Sequence, residues 1–155
     1  GYGRIIQNSS VLGFVALPFR GAYNASKYAI EGLSDTLRLE LTGSNVYVSL
    51  IEPGPIASQF RTNAVQALQK YIDIENSFHR EKYQGVLSRL NKPGPAVPFT
   101  LPPEAVLKRV IHALEAEKPQ ARYYVTVPTY LFGILKRILS ARALDVLLAK
   151  SGNNN

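Results

Sequence analysis

No cysteine, methionine or tryptophan occurs in the 155 residues. Without thiols there can be no disulfide, no thiolate nucleophile and no cysteine-ligated metal, and only His79 and His112 remain as imidazole ligands, neither with a partner at metal-ligand spacing. No metal site is expected. The chain also lacks any run of about 18 uncharged apolar residues, and its opening, GYGRIIQNSS, has none of the charged-then-apolar layout of a secretory signal. The default compartment is therefore the cytoplasm. Acidic residues are scarce, 11 Asp and Glu against 18 Lys and Arg, for a formal net charge of +7. Such an excess raises the question of nucleic acid or an anionic membrane. Its location argues against both for residues 1–60, where Arg4, Arg20, Lys27 and Arg38 balance Glu31, Asp35, Glu40 and Glu52. The cations beyond residue 60 are spread out apart from the pairs Lys108-Arg109 and Lys136-Arg137, without the aromatic-basic interleaving that stacks bases, so nucleic acid is not an expected partner.

What is present suits one compact domain: 46% of the residues are hydrophobic, enough for a sizeable core. Residues 4–10, RIIQNSS, read as a strand whose end emerges in small polar residues. A loop over 11–21 holds Gly13, Pro18 and Gly21. From Ala22 to about Leu41 there is no proline, and Ala22, Ala25, Ala29, Leu33 and Leu37 recur at helical spacing while Glu31, Asp35, Arg38 and Glu40 take other faces. Gly43 stands where a helix ends, and 46–52, VYVSLIE, is a β-branched apolar strand halted by Pro53-Gly54-Pro55. Strand, long helix and strand make a βαβ unit, hence parallel strands with a right-handed crossover and a sheet covered on both faces. Residues 57–90 predict one or two surface helices, 91–103 a proline-rich loop, 104–117 a helix, 123–127 a short strand, and 131–150 a basic amphipathic helix, with 151–155 a frayed tail. Three strands are fewer than the five or six of a doubly wound sheet, and a three-stranded parallel sheet leaves an open edge. The expected class is α/β, the C-terminal half of a doubly wound parallel, Rossmann-like sheet with flanking helices.

Chemistry concentrates in Ser10 and in the run Tyr23-Asn24-Ala25-Ser26-Lys27. Four apart on a helix, Tyr23 and Lys27 stack on one face, about 5–6 Å apart at Cβ. An ammonium beside the phenol stabilises the phenolate and draws it toward a working acid-base, able to give a proton to a carbonyl oxygen or take one from an alcohol. Ser10, at the mouth of the preceding strand, is placed to hydrogen-bond the same oxygen. The bare Tyr-x-x-x-Lys pair is also what snorkelling lysines on amphipathic helices produce. With Ser10 thirteen residues ahead, Gly13 and Pro18 between, and the run YNASKYAIEGL, the segment resembles the active-site signature of the short-chain dehydrogenase/reductase family. The family spacing selects Ser10 over Ser9. Thirty residues past Tyr23, Glu52-Pro53-Gly54-Pro55-Ile56-Ala57-Ser58 resembles the family's Pro-Gly loop, whose bland alternative is a strand-ending turn.

The resemblance implies an NAD(P)-dependent oxidoreductase interconverting a carbonyl and an alcohol. Tyr23 is then the acid-base, Lys27 its electrostatic partner and a holder of the cofactor ribose, and Ser10 the group that orients substrate. It further implies cofactor contacts at Tyr23, Lys27, Pro53, Gly54, Ile56 and Ser58, with NADP slightly favoured over NAD. Residues 1–150 are then a partial domain: catalytic strand and helix in 4–42, cofactor loop in 52–58, substrate lid in 57–103, and a terminal helix-strand-helix in 103–150. The family's Gly-rich pyrophosphate turn is not in this sequence, since Gly1 and Gly3 precede a strand instead of following one. The chain is therefore read as starting just before the fifth family strand and as inactive by itself. Phe60, Ala64, Leu68, Tyr71, Ile72, Phe78 and Phe99 are candidates for an apolar pocket, favouring a lipophilic substrate. The small face of the helix, Ala22, Ala25, Ala29 and Gly32, suits a homo-oligomer or packing within one chain. Two other readings use the same residues: a non-catalytic cofactor-binding scaffold, and a peripheral membrane-binding module built on Leu131, Ile134, Leu135, Ile138 and Leu139 with Lys136, Arg137 and Arg142.

Overall fold

The structure is a computed structural model that describes residues 1–94 and 97–153, with the side chains of 152 and 153 left aside. Strand β1 (Tyr2–Asn8) leads through a short 3-10 turn at Val11–Gly13 into helix α1 (Gly21–Glu40) and strand β2 (Asn45–Glu52). Helices α2 (Phe60–Tyr71) and α3 (Arg80–Leu90) form an arm, followed by α4 (Glu104–Glu115), strand β3 (Arg122–Tyr124), α5 (Val127–Ile138) and α6 (Ala141–Asn153). The sheet order is β1-β2-β3, all parallel, with Ile6 opposite Ser49 and Ile51 opposite Tyr123. The expected α/β architecture with a parallel sheet and flanking helices is what the chain adopts.

Alternation along β2 sends its residues to two different surroundings. Ile51 joins Tyr123, Val125 and Ala113 in a core under α4, supported by Ile6, Val106 and Val110. Ser49, on the same face, donates to the carbonyl of Gln120 at 2.8 Å. Leu50 and Glu52 point the other way, toward α1. A second core, Leu12, Val15 and Leu148, joins the turn after β1 to α5 and α6.

Boundaries shift where local chemistry overrides periodicity. β1 ends at Asn8, because the Ser10 side chain accepts from the Leu12 amide at 3.2 Å and caps the 3-10 turn. β3 stops at Tyr124, because Thr126 is the N-cap of α5 with Pro128 in its first turn. The tail predicted as one helix from 131 is two, starting at Val127: Leu139 is extended and the Ser140 hydroxyl accepts from the Ala143 amide, restarting the helix as α6. Gly43 has φ +83°, the left-handed conformation expected after a helix end. Of the expected proline-rich loop, Pro95 and Ala96 lie outside the described residues, as do Asn154 and Asn155 of the expected frayed tail; α6 itself runs to Asn153.

The inward face of α1 differs from the apolar stripe that periodicity picks out. Its buried residues are Asn24, Glu31 and Ser34, whereas Ala22, Ala25, Ala29, Gly32 and Leu33 are exposed. The reason lies across the sheet. Arg122 projects from β3 toward α1, and the polar stripe of the helix is what can neutralise it.

Candidate active site

The end of β1 and the loop after β2 are joined through the backbone. The Ser9 amide donates to the Ile51 carbonyl at 2.8 Å, and the Val11 amide to that of Pro53 at 2.9 Å. The Ser10 hydroxyl, buried, lies 3.5 Å from the Pro53 carbonyl and accepts from Leu12. Ser10 is thus held against the Pro-Gly turn itself. Ser9 turns the opposite way, as strand alternation requires. A Cβ placed on Gly13 would come within 2.6 Å of the Ser9 Oγ and 2.9 Å of the Glu31 carboxylate, so Gly13 admits both groups to the interior.

Lys27 Nζ donates to the Asn8 carbonyl at 2.8 Å and stands 5.7 Å from the centre of the Tyr23 ring. Burial lowers the Lys27 pKa from its ordinary value, and the Glu31 charge opposes that fall. The Tyr23 ring meets Phe60 of α2 edge to face at 5.3 Å and leans on the Leu12–Val15–Leu148 core. Asn24, which the motif reading passed over, is buried and donates to the Leu17 carbonyl at 3.3 Å, tying the loop before α1 to the helix.

In the loop after β2, Pro55 and Ala57 pair with Leu101: the Leu101 amide donates to Pro55 at 3.1 Å and the Ala57 amide to Leu101 at 2.9 Å. In extended backbone the amide and carbonyl of the intervening Ile56 face the opposite edge. The Ser58 hydroxyl accepts from the Phe60 amide at 3.3 Å and so keeps its own proton to donate elsewhere. It also lines an open groove of about 490 Å³ with Arg61, Thr62, Val65 and Gln66 of α2 and Asn91 and Lys92 after α3. Gly54 is needed for packing: a Cβ there would lie 2.1 Å from Thr126 Oγ1 and 2.8 Å from Thr129 Oγ1, both fully buried.

Under the site lies a charged cluster that spacing did not reveal. Arg122 donates to Glu31, to Glu52 Oε1 at 2.6 Å, and to both oxygens of Asp35 at 2.8 and 2.7 Å. Glu52 is fully buried and Glu31 nearly so. Burial, joined by the Glu31 charge and opposed by Arg122, pushes Glu52 up to about 8. The signal available in the sequence was Glu52 at the end of an otherwise apolar strand.

The histidines are occupied elsewhere: His112 Nδ1 is 2.9 Å from the Tyr123 hydroxyl, and His79 lies edge-on to Phe19 and Phe78. Among the described residues no cluster of three or more His, Cys, Asp or Glu is disposed to hold a metal, and no helix is long and apolar enough to cross a membrane.

Comparison with known proteins identifies the family of this stretch. The family model for short chain dehydrogenase covers residues 1–69, the stretch that holds Ser10, Tyr23, Lys27 and the Pro-Gly loop. An uncharacterized oxidoreductase of Escherichia coli K12, YbbO, is 47% identical over 148 residues, covering 96% of this chain and 49% of that protein. This chain belongs to the short-chain dehydrogenase/reductase family. Another family relative, the NADPH-dependent 3-dehydrocapnine reductase of Ornithobacterium rhinotracheale, is 34% identical over 149 residues, covering 96% of this chain and 50% of its own length. The fold agrees as well. A short chain dehydrogenase from Burkholderia cenocepacia, solved in complex with NADP, superposes with TM-score 0.63 at 22% identity, over 95% of this chain and 49% of that one. The chain thus spans about half the length of the curated family members it matches.

Proposed function

We propose that the complete protein is an NAD(P)-dependent oxidoreductase that interconverts a carbonyl and an alcohol on a largely apolar substrate. The observation that carries this reading is the convergence of Ser10, Tyr23 and Lys27 on the end of β1, where Lys27 bonds the Asn8 carbonyl and Ser10 bonds the turn after β2. In that arrangement Tyr23 gives its proton to the carbonyl oxygen, Lys27 stabilises the negative charge left on the phenol, and Ser10 orients the substrate oxygen. The cofactor, when bound, supplies or accepts the hydride. The donors fit it. Lys27 carries an ammonium suited to ribose hydroxyls, the Ile56 backbone faces away from its pairing with Leu101, and Ser58 retains a hydroxyl proton. NADP is preferred to NAD, in keeping with the NADPH dependence of the Ornithobacterium reductase.

The arm of α2 and α3 has no buried residue, and Phe60, Tyr71, Ile72 and Phe78 expose large apolar surfaces, which suits a lipophilic substrate lying beneath it. The exposed small residues of α1 favour a homo-oligomer. A membrane role for the tail is disfavoured, because Lys136 is engaged by the Phe14 carbonyl and lies 5.0 Å over the Tyr28 ring. By itself the 155-residue chain is inactive, because its glycines form no pyrophosphate cradle ahead of a helix.

The test is turnover by the complete protein. Reduced cofactor carrying deuterium at the transferable position should deliver it to the carbonyl carbon of lipophilic aldehydes or ketones. Label recovered in no member of such a panel would sink the reading.

A further inference from the structure

Arg20, Arg61 and Arg89 link the start of α1 to the α2–α3 arm. Among the described residues no ion pair reaches any of the three. Arg61 has a structural role: its guanidinium donates to the carbonyls of Arg89, Leu90, Lys92 and Gly94 at 3.0, 2.8, 2.6 and 2.7 Å, closing the C-terminal end of α3. Among the described residues Arg20 and Arg89 have no such partners, yet both are half-buried. Burial lowers the pKa of each guanidinium, that of Arg20 to about 10, and the next arginine in line pushes the same way: Arg89 on Arg20, and Arg61 on Arg89. Only Tyr23 acts on Arg20 in the opposite sense. Half-buried like charges without an anion are costly, and guanidinium is the side chain best shaped to grip a carboxylate, sulfonate or phosphate.

Their position gives the vacant charge a use. Arg20 is the N-cap of α1, three residues ahead of Tyr23. The preceding residue, Phe19, has φ +60°, which costs about 1 kcal/mol or more for a bulky side chain. Its ring is pinned edge-on to His79 at 5.4 Å and to Tyr83 at 5.7 Å, so the Arg20 loop is clamped to the segment that carries Arg89. Phe60, the residue before Arg61, meets the Tyr23 ring edge-on and so brings the same arm against α1.

We propose that Arg20 and Arg89 bind an anionic group of the substrate, so that the substrate is an apolar carbonyl compound carrying a carboxylate, sulfonate or phosphate near the reacting carbon. This rests on the oxidoreductase reading of Tyr23. A cofactor phosphate is the other anion with the same chemistry, and the measurements separate the two.

With the complete protein and saturating NADPH, kcat/KM is compared for a long-chain 4-oxo carboxylate and its methyl ester. Wild type should prefer the acid by about tenfold or more, as expected for charge-assisted bonds in a half-buried site. In R20Q and R89Q the acid-to-ester ratio should collapse toward one through KM, with R20K partly restoring it, while calorimetric NADPH affinity stays within about twofold. The proposal is overturned by a wild-type ratio near one, by equal losses on acid and ester, or by variants whose defect is in NADPH affinity. If no carbonyl is reduced, titration with decanoate still reads the site. Decanoate binding that R20Q abolishes keeps the anion site and overturns only the oxidoreductase reading, and no decanoate binding by wild type overturns the site.

Discussion

In the proposed mechanism Tyr23 protonates the substrate oxygen and Lys27 stabilises the phenolate that is left, so their substitutions should part. In the complete protein Tyr23→Phe removes the transferable proton but keeps the ring that packs on Phe60, and kcat should fall about 10³-fold with the unfolding midpoint nearly unchanged. Steady-state kinetics beside thermal unfolding check this, and retained activity in the variant excludes the mechanism. Lys27→Met also releases the Asn8 carbonyl, and should raise the KM for cofactor as well as lower kcat. Gly54 makes a prediction about packing. A methyl at 2.1 Å from Thr126 Oγ1 cannot fit without moving α5, so Gly54→Ala should cost about 3 kcal/mol, measured by urea unfolding. At this scale the sequence was informative wherever chemistry follows spacing, as for Tyr23 and Lys27. It was mute on Gly54 against Thr126, residues seventy-two apart whose approach depends on the fold.

Between elements the dominant interaction is the Arg122 cluster, where one guanidinium joins β3 to Glu52 of β2 and to Glu31 and Asp35 of α1. Removing it by Arg122→Met strands the buried acids Glu31 and Glu52, while Asp35 keeps Arg38, and should destabilise the protein by about 3 kcal/mol. The cluster also makes stability depend on pH. Folded Glu52 keeps its proton up to about pH 8, whereas the unfolded carboxyl gives it up near 4.5. Between those values the folded state binds more protons, so stability falls as pH rises, by on the order of 1 kcal/mol per pH unit within the window. Glu52→Gln cannot titrate there. Its stability relative to wild type should therefore climb from pH 5 to 8, read from urea midpoints across that range, and parallel curves for the two proteins contradict the buried proton. The same cluster explains why periodicity chose the outward face of α1: it ranks apolar residues inward, and has no means of knowing that an arginine waits eighty-odd residues later in the chain.

For the molecule as a whole, β1 pairs only with β2 among the described residues, and Tyr2, Leu33, Leu39 and Ile138 remain exposed. If the complete protein supplies the cofactor cradle, the 155-residue chain should show no NADPH-dependent turnover and no micromolar NADPH binding by fluorescence titration, and tight binding would contradict the inactivity proposed for it. The sequence by itself determined the βαβ order, the parallel sheet and the family, because strand alternation, helix spacing and a local motif are all properties of near neighbours. It singled out Ser10, Tyr23, Lys27 and the Pro-Gly loop as candidates for the same reason. Only the tertiary structure decided which face of α1 turns inward, why Gly54 has no side chain, and that the loop before Arg20 is clamped to the helix that carries Arg89. Those are contacts between distant segments, set by how helices cross the sheet rather than by any periodicity along the chain.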